Sequence, residues 1–268
     1  MSNELYILKV GGSLISGSND PHKVNLKAIN RIFNEIAGAG KSKRFDLIIG
    51  HGSGAIGHVP SKKYGVNLGS ENERARTGSV ITERACNRLN DVVVRAAFDL
   101  GIPVFSFSPH SFGITRGGVI SDAYILPLKI AIKKGLVPVV YGDIFMDSEN
   151  GFSDISTEEV IAALSKQLHP SKVIVFTDVD GVFDSDPKLN SKALMIPYID
   201  RHNIREAIKY AGPSLKVDVT GGMRTKVISV YKAVRGSNTV GYILNGSKAG
   251  NVYRFLIGKK TRFTEIRW

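Results

Sequence analysis

Two apolar runs in this chain end directly in glycine-rich turns, and this pattern restricts the fold more than any other feature of the sequence. Residues 5–10 form the first run and lead into Gly11 and Gly12, while residues 46–50 lead into the glycines and histidines of residues 51–58. An apolar run that stops at glycines and continues into helix-compatible sequence is typical of a buried strand, a tight turn and a helix N-terminus. Glycine lets the backbone approach an anion closely, and the first amides of a helix offer free N–H groups to it. The two turns together predict a protein that holds two phosphate groups facing each other.

Strand-like and helix-like segments alternate along the chain. This alternation predicts βαβ units and an α/β fold with a mainly parallel sheet covered by helices on both faces. Ligands of such sheets bind beyond the carboxyl ends of the strands, and each glycine turn falls at such an end. The apolar runs lie at 5–10, 46–50, 102–107, 137–141, 172–177 and 240–244, and the amphipathic stretches at 25–38, 79–100, 123–134 and 157–167.

Composition narrows the class of protein. A chain of 268 residues with 43% hydrophobic content suits one large α/β domain or a domain with two lobes. No apolar stretch approaches the roughly 20 residues needed to span a bilayer, and the chain enters a strand-like run at once, without a signal-peptide pattern. Cys86 is the only cysteine, which excludes an internal disulfide and a cysteine-based zinc site. We therefore expect a cytoplasmic enzyme without a membrane partner.

The formal net charge of +12 fits either a nucleic-acid partner or anionic substrates. The 36 lysines and arginines are dispersed apart from small groups, such as those within 41–44 and 259–262. No basic stripe with interleaved aromatic residues accompanies them. We interpret the charge as a solvated surface and expect no nucleic-acid partner.

The first glycine turn places a lysine at the end of its strand. From there the Lys9 ammonium could reach a phosphate site lined by the amides of Gly11 and Gly12. An ordinary strand-to-helix turn with a solvated lysine is the alternative. The turn is not a Walker loop, because the required spacing of glycine, lysine and serine or threonine is missing.

The second turn carries more information, because four glycines free its backbone and two histidines bracket it. The second histidine, His58, falls in the first turn of the helix that follows, where it can donate a hydrogen bond to the anion held by the loop amides. A capping or surface histidine is the alternative. The surrounding glycines favour a ligand contact.

Two segments in the second half of the chain complete the set. Residues 177–182 follow an apolar run and contain Asp178 and Asp180, which with Asp184 could bind Mg²⁺ through oxygen ligands. An aspartate-rich turn is the alternative, especially for Asp184 and Asp186. A third glycine turn at residues 218–226 ends at a lysine one helical turn beyond its glycines.

That lysine, Lys226, suggests a charge clamp. One lysine from each half of the molecule, Lys9 and Lys226, could flank a single transferring phosphoryl group. Cations in these positions neutralise charge as it redistributes in the transition state.

With these segments in order, the chain resembles the amino acid kinase family over essentially its whole length. The resemblance rests on Lys-Val-Gly-Gly-Ser at 9–13, Thr-Asp-Val-Asp-Gly-Val at 177–182 and Thr-Gly-Gly-Met-Arg-Thr-Lys at 220–226. It implies a three-layer α/β/α sandwich with a mainly parallel central sheet, formed as a single domain over residues 1–268. It also implies an acceptor-binding lobe at about 1–170 and an ATP-binding lobe at about 171–268.

The second turn is similar to that of one subfamily, the isopentenyl phosphate kinases. Residues 51–58, followed by Lys-Lys-Tyr-Gly at 62–65, carry this similarity together with Tyr-Gly-Asp at 141–143 and Ile-Ser-Thr-Glu-Glu at 155–159. The resemblance implies ATP-dependent phosphorylation of isopentenyl phosphate, with Mg²⁺ accompanying ATP, and a homodimer.

The resemblance also assigns roles, residue by residue. Lys9, His58 and Lys226 are the expected catalytic residues, with His58 on the acceptor phosphate, and no residue is assigned as a metal ligand. The expected ATP-binding residues are Lys9, Gly11, Gly12, Ser13, Gly54, Asp178, Gly222 and Lys226, and the expected acceptor-binding residues are Ser53, Gly54, His58, Gly142 and Asp143.

One position departs from the subfamily pattern. Isopentenyl phosphate kinases usually carry a further lysine in the loop after the first turn, described as stabilising the transition state, and this chain has Ser18 there. Lys23 in the same loop is a candidate substitute. For the isoprenoid tail, an apolar lining from residues 80–112 is a candidate, including Val92, Val93, Ala96, Ala97 and Phe105. The alternative, which is more common for such residues, is that they belong to the core.

The sequence alone also allows other functions. A fosfomycin-type kinase is the principal alternative, because it also places a histidine after its glycine turn. Acetylglutamate and uridylate kinases fit less well, because the position of His58 implies direct contact with an acceptor phosphate. A nucleotide-binding regulator without catalysis is supported only by the missing lysine at Ser18.

Overall fold

The structure of this chain is a computed structural model that describes residues 3–16, 20, 22–212 and 222–268. The strands within these ranges are β1 (Leu5–Val10), β2 (Asp46–His51), β3 (Val104–Ser106), β4 (Gly113–Arg116), β5 (Val119–Ala123), β6 (Val137–Tyr141), β7 (Asp143–Asp147), β8 (Gly151–Ile155), β9 (Lys172–Thr177), β10 (Val182–Phe183), β11 (Met195–Ile196), β12 (Tyr198–Ile199), β13 (Val240–Asn245) and β14 (Phe263–Ile266). The helices are α1 (Gly12–Ile15), α2 (Leu26–Ser42), α3 (Ala55–Tyr64), α4 (Glu73–Asp99), α5 (Leu126–Lys133), α6 (Thr157–Leu168), α7 (Ile204–Tyr210), α8 (Gly222–Val234) and α9 (Asn251–Leu256), with short 3₁₀ turns at Val66–Leu68 and Pro109–Ser111.

The central sheet has eight strands in the order β12-β14-β13-β9-β1-β2-β6-β3. Its neighbours pair in parallel, except for β13 and β14, which are antiparallel. Strand β1 lies in the middle, where Lys9 is in register with Gly50 of β2 and Val175 of β9. The carboxyl ends of these three strands therefore meet at one edge of the sheet, and both glycine turns lie there.

The alternation of side chains along β1 separates two layers of helices. Tyr6, Leu8 and Val10 pack on one face against α2, α4 and α9. Ile7 points to the other face, where α5 and α6 cover it, and α7 and α8 continue that layer beside β9 and β13. This arrangement confirms the α/β/α sandwich with a mainly parallel central sheet.

The predicted strands and helices of the central sandwich are present, with shifted ends. The helix predicted at 79–100 begins earlier, at Glu73, and the helix predicted at 25–38 continues to Ser42. The strand predicted at 102–107 is shorter and spans Val104–Ser106. Propensity and periodicity define the existence of an element better than its ends, which packing and capping decide.

A second, smaller sheet was not predicted. It has the order β5-β4-β7-β8, and its strands have at most five residues each. Strand β5 has no buried residue, so its sequence lacks the apolar signal that marks the strands of the central sheet.

The two predicted lobes share the central sheet, because β9 of the second pairs directly with β1 of the first. Their assignment to acceptor and to ATP stays a prediction. Among the helices of the described ranges, none combines the length and apolar character that crossing a membrane requires.

Candidate active site

The two glycine turns lie against each other at the carboxyl edge of the central sheet. A Cβ atom on Gly12 would lie 2.5 Å from the Gly54 amide nitrogen, and one on Gly52 would lie 2.9 Å from the Gly12 nitrogen. Gly54 also has φ of +53°, a left-handed conformation that side chains disfavour. Backbone contact this close needs glycine at these positions, so the turns form one continuous wall.

This wall lines a cleft that is partly open to solvent. The opposite side of the cleft comes from the end of β8 and the start of α6. The lining residues are Lys9, Gly12, Gly52, Ser53, Gly54, His58, Gly142, Asp154, Ile155, Ser156, Thr157 and Glu158.

Helix N-termini contribute to the cleft from both sides. Helix α3 begins at Ala55 directly after Gly54, and α6 begins at Thr157 after Ser156, whose side chain accepts a hydrogen bond from the Glu159 amide. The first amides of a helix have no partner within the helix and attract anions. The cleft therefore favours a negatively charged ligand.

His58 lies in the first turn of α3, as the sequence predicts. Its amide donates to the Gly54 carbonyl at 3.1 Å, which fixes the residue on that turn. The residue is half-buried and lines the cleft. This position allows the imidazole to face an anion held by the turn.

A buried ion pair forms the floor of the site. Lys9 Nζ donates to Glu158 Oε1 at 2.5 Å, and both side chains are almost completely buried. Lys226, also buried, donates to the Gly222 carbonyl at 3.2 Å within α8.

The pKa of Glu158 reports how these charges interact. Burial raises the pKa, but the attraction of Lys9 and of Lys226 and the hydrogen bond from Lys9 outweigh it, so the pKa is below its ordinary value. Glu158 is therefore an ionised carboxylate that interacts with both lysines. The sequence places it in the segment 155–159 but assigns it no role.

His51 is completely buried and lies close enough to Lys9 to be affected by its charge. Its Nε2 atom is 3.2 Å from Asn90 Oδ1, and its ring stacks on Tyr141 at 5.4 Å between centroids. Burial lowers its pKa to about 4, the hydrogen bond with Asn90 opposes this shift, and the charge of Lys9 adds to it. His51 is therefore neutral at physiological pH.

Asp143 follows the cleft residue Gly142 but does not line the cleft itself. Its carboxylate is completely buried and lies 2.6 Å from His110 Nδ1. This hydrogen bond raises the pKa of His110, against the opposing effect of burial. The Asp143 carboxylate thus faces a histidine. Its predicted contact with the acceptor stays a prediction.

Two of the aspartates that follow β9 form ion pairs with lysines. Asp178 pairs with Lys188, and Asp180 pairs with Lys248 at 2.7 Å. Asp184 accepts hydrogen bonds from the Leu194 amide and the Ser185 hydroxyl, as the turn alternative predicts. Within the described ranges, no three histidine, cysteine or acidic side chains are grouped to hold a metal ion.

Six of the predicted site residues line the cleft, and the others do not. Gly11 donates its amide to the Phe176 carbonyl at 3.0 Å, Ser13 is exposed, and Gly222 begins α8. Ser18 and the 218–221 part of the third turn lie outside the described residues. The six are Lys9, Gly12, Ser53, Gly54, His58 and Gly142.

The candidate lining for an isoprenoid tail is not supported by the packing. Val93, Ala96 and Ala97 belong to the main hydrophobic core, with Val92 packed against it. Phe105 is about half exposed. These α4 residues face α2 and the sheet, since helix periodicity places them on the core side.

Comparison with known proteins decides the family. The amino acid kinase family model matches residues 4–245. The chain belongs to the amino acid kinase family.

Individual relatives are similar over nearly their full length. An isopentenyl phosphate kinase of Methanocaldococcus jannaschii is 34% identical, covering 95% of this chain and 96% of the relative. One of Methanothermobacter thermautotrophicus is 35% identical, covering 98% of both chains. A crystal structure of an isopentenyl phosphate kinase superposes with a TM-score of 0.83 at 33% identity, covering 98% of this chain and 99% of that one. All three of these proteins are isopentenyl phosphate kinases.

Proposed function

We propose that this chain transfers the γ-phosphoryl group of ATP to isopentenyl phosphate, giving isopentenyl diphosphate and ADP. One observation carries the proposal: the His58 turn and the Lys9 turn abut at a single anion-favouring cleft. The similarity to isopentenyl phosphate kinases over 95% or more of the chain supports the choice of acceptor.

The acceptor phosphate would bind on the His58 side. The free amides at the start of α3 and the His58 ring would hold its oxygens. A phosphate monoester already carries ionised oxygens near neutral pH, since its second pKa is about 6. The nucleophilic oxygen therefore needs orientation rather than a strong general base.

The donor phosphates would bind on the Lys9 side. Lys9 and Lys226 neutralise charge as the phosphoryl group moves between oxygens, which is the main contribution a protein makes to this reaction. Glu158 keeps Lys9 in place, so that the ammonium is oriented before the substrates arrive. Transfer is then a single in-line step without a phosphoenzyme.

Mg²⁺ is part of the proposal as a companion of the nucleotide. When bound, it would neutralise charge on the donor phosphates. It usually binds through substrate phosphates and waters rather than a protein cage, which fits the engagement of Asp178 and Asp180 by lysines. A homodimer, implied by the family, is also proposed, and light scattering of the purified protein tests it.

An acceptor screen tests the function. The purified protein would be incubated with ATP and, separately, isopentenyl phosphate, dimethylallyl phosphate or fosfomycin, with ADP measured by a coupled assay and products by ³¹P NMR. We expect turnover with isopentenyl phosphate to exceed turnover with fosfomycin. The reverse preference would establish the fosfomycin-type alternative, which no observation on the described residues favours.

The role of His58 is tested within the same screen. His58→Ala should severely reduce turnover of isopentenyl phosphate, whereas His202→Ala, at an exposed histidine on the surface, should not. Near-normal kinetics of His58→Ala would contradict the proposed acceptor site.

A further inference from the structure

A loop at the carboxyl end of β13 is held in place by a different part of the chain. The loop spans residues 246–253, between the end of β13 and the first turn of α9. Two side chains of α2, Arg31 and Glu35, lie one helical turn apart and contact it. Together they form a brace between the helix and the loop.

Arg31 binds the first part of the loop through carbonyl oxygens. Its Nη2 atom donates to the Gly246 carbonyl at 2.5 Å, and its Nη1 atom donates to the Lys248 carbonyl at 3.4 Å. The same Nη1 atom donates to Glu35 Oε1 at 2.9 Å, so the guanidinium is fixed from both sides. A planar guanidinium suits this geometry because its donors form a rigid fork.

Glu35 binds the second part of the loop through amides. Its Oε1 atom accepts from the Gly250 amide at 2.9 Å, and its Oε2 atom accepts from the Tyr253 amide at 3.1 Å. Gly250 is the N-cap of α9 and has no side chain to cap the helix. The Glu35 carboxylate supplies the missing cap from another helix and stabilises the positive end of the α9 dipole.

The braced loop places Lys248 at the carboxyl edge of the central sheet. Lys248 Nζ lies 2.7 Å from Asp180 Oδ1, and Arg262 approaches the same carboxylate at 3.8 Å. Asp180 also accepts from Asn245 Nδ2 at 3.1 Å. Two cations thus face one carboxylate at the end of β9, the strand next to β1 and Lys9.

Lys248 and Arg262 at this edge suit an anionic nucleotide, since cations there would meet its phosphates. Gly246 and Gly250 flank Lys248, and glycine allows the loop many conformations in the absence of restraint. The brace contacts the backbone on both sides of Lys248, which removes that freedom.

We propose that Arg31 and Glu35 are positioning residues for the donor nucleotide, which fix the 246–253 loop and so place Lys248 beside the nucleotide site. The inference rests on the proposed function and adds that the nucleotide extends from the Lys9 side towards the carboxyl ends of β9 and β13, the next two strands of the sheet after β1. Neither residue lines the cleft that holds Lys9 and His58, so the brace acts through the loop and not through direct contact with either substrate in that cleft.

Kinetic separation of the two substrates tests the inference. In Arg31→Ala and Glu35→Ala, we expect the KM for ATP to rise about fivefold to tenfold while the KM for isopentenyl phosphate stays near its wild-type value. Arg31→Lys keeps the positive charge but loses the planar set of donors. Its KM for ATP should therefore lie between that of the wild type and that of Arg31→Ala. Arg116→Ala, which breaks the exposed Arg116–Glu149 pair, is the matched control and should change neither KM.

Calorimetric titration with a non-hydrolysable ATP analogue, in the absence of acceptor, measures the same effect directly. Weaker analogue binding by the brace variants than by Arg116→Ala supports the inference. Unchanged analogue affinity, or an equal rise of both KM values, overturns it. If an alanine variant does not fold, Arg31→Lys and Glu35→Gln provide the comparison, and failure of the proposed acceptor would leave the calorimetric result unaffected.

Discussion

The Lys9 ammonium and the Glu158 carboxylate meet at 2.5 Å although 149 residues separate them in the chain. Lys9 is 4% exposed and Glu158 is 6% exposed. Two ions lose their hydration in such a place, and only close pairing with further favourable charge offsets that cost. The Lys226 ammonium supplies additional charge, as the lowered pKa of Glu158 shows. The pair is therefore a fixed part of the site rather than a surface salt bridge.

Neutralising Glu158 should impair catalysis more than binding. In Glu158→Gln, the Lys9 ammonium loses its ionic partner and shifts from its position, and a displacement of about 1 Å near the reacting atoms can reduce kcat about 100-fold. Steady-state kinetics with both substrates saturating measures this effect.

The next residue along α6 offers a matched control for that experiment. Glu159 is a half-buried acid that pairs with the exposed Lys232 at 2.9 Å and does not line the cleft, so Glu159→Gln should retain near-normal turnover. Equal kcat values for the two variants would contradict the role given to Glu158. Circular dichroism of both variants verifies that the fold is intact.

The contact between the two glycine turns predicts opposite effects of alanine at two glycines. Gly12→Ala would place a methyl group 2.5 Å from the Gly54 nitrogen, forcing the turns apart, and should reduce both stability and turnover. Gly40→Ala in α2 meets nothing within 4 Å and should stabilise the protein by about 0.5–1 kcal/mol, since alanine favours helix. Chemical denaturation measures both. A Gly12→Ala protein as stable and active as the wild type would show that the turns can separate freely.

The sequence predicts those parts of the fold and site that have a local signal. Strands β1, β9 and β13 are mostly apolar, and the turns after β1 and β2 carry the glycines that their close approach requires. Glu158 has no such signal, because an acid in the first turn of a helix is common on grounds of the helix dipole alone. Its pairing with Lys9 cannot be inferred from the sequence, because the fold brings the two residues together from distant segments.

The same limit applies to other long-range contacts. The resemblance implies that Asp143 contacts the acceptor, and the structure adds that its carboxylate pairs with His110, 33 residues away, which no local pattern indicates. On sequence grounds Val93 and Ala97 could line a ligand cavity or belong to the core, and they pack in the main core. Periodicity shows that a helix has an apolar face but not what that face contacts.

His51 should make the protein sensitive to acid. Its pKa is lowered from 6.5 to about 4 by burial, so the unfolded chain takes up a proton before the folded one as pH falls. The stability from burying a neutral ring is present above pH 6.5 and is lost between pH 6.5 and about 4. Its size is about 3 kcal/mol at full loss.

A variant without a titrating ring isolates this contribution. His51→Phe keeps a flat ring against Tyr141, and the decline in its unfolding free energy between pH 7 and pH 4 should be smaller than that of the wild type by about 3 kcal/mol. His202→Ala, at an exposed position, should follow the wild-type decline. Identical acid dependence in His51→Phe and the wild type would show that the buried ring is not neutral.

The pair of His110 and Asp143 should have the opposite dependence on pH. The hydrogen bond to Asp143 raises the pKa of His110 above 6.5, while burial opposes it, so the folded chain keeps its proton to higher pH than the unfolded chain. The pair contributes its full stability below pH 6.5 and loses it as pH rises through the raised pKa.

His110→Gln retains a donor to the buried carboxylate without titrating. The stability advantage of the wild type over this variant should therefore shrink as pH increases beyond 6.5, measured by denaturation at a series of pH values. Titration of the His110 ring by NMR provides the independent check, and a midpoint below 6.5 in the folded protein would contradict the effect of this hydrogen bond.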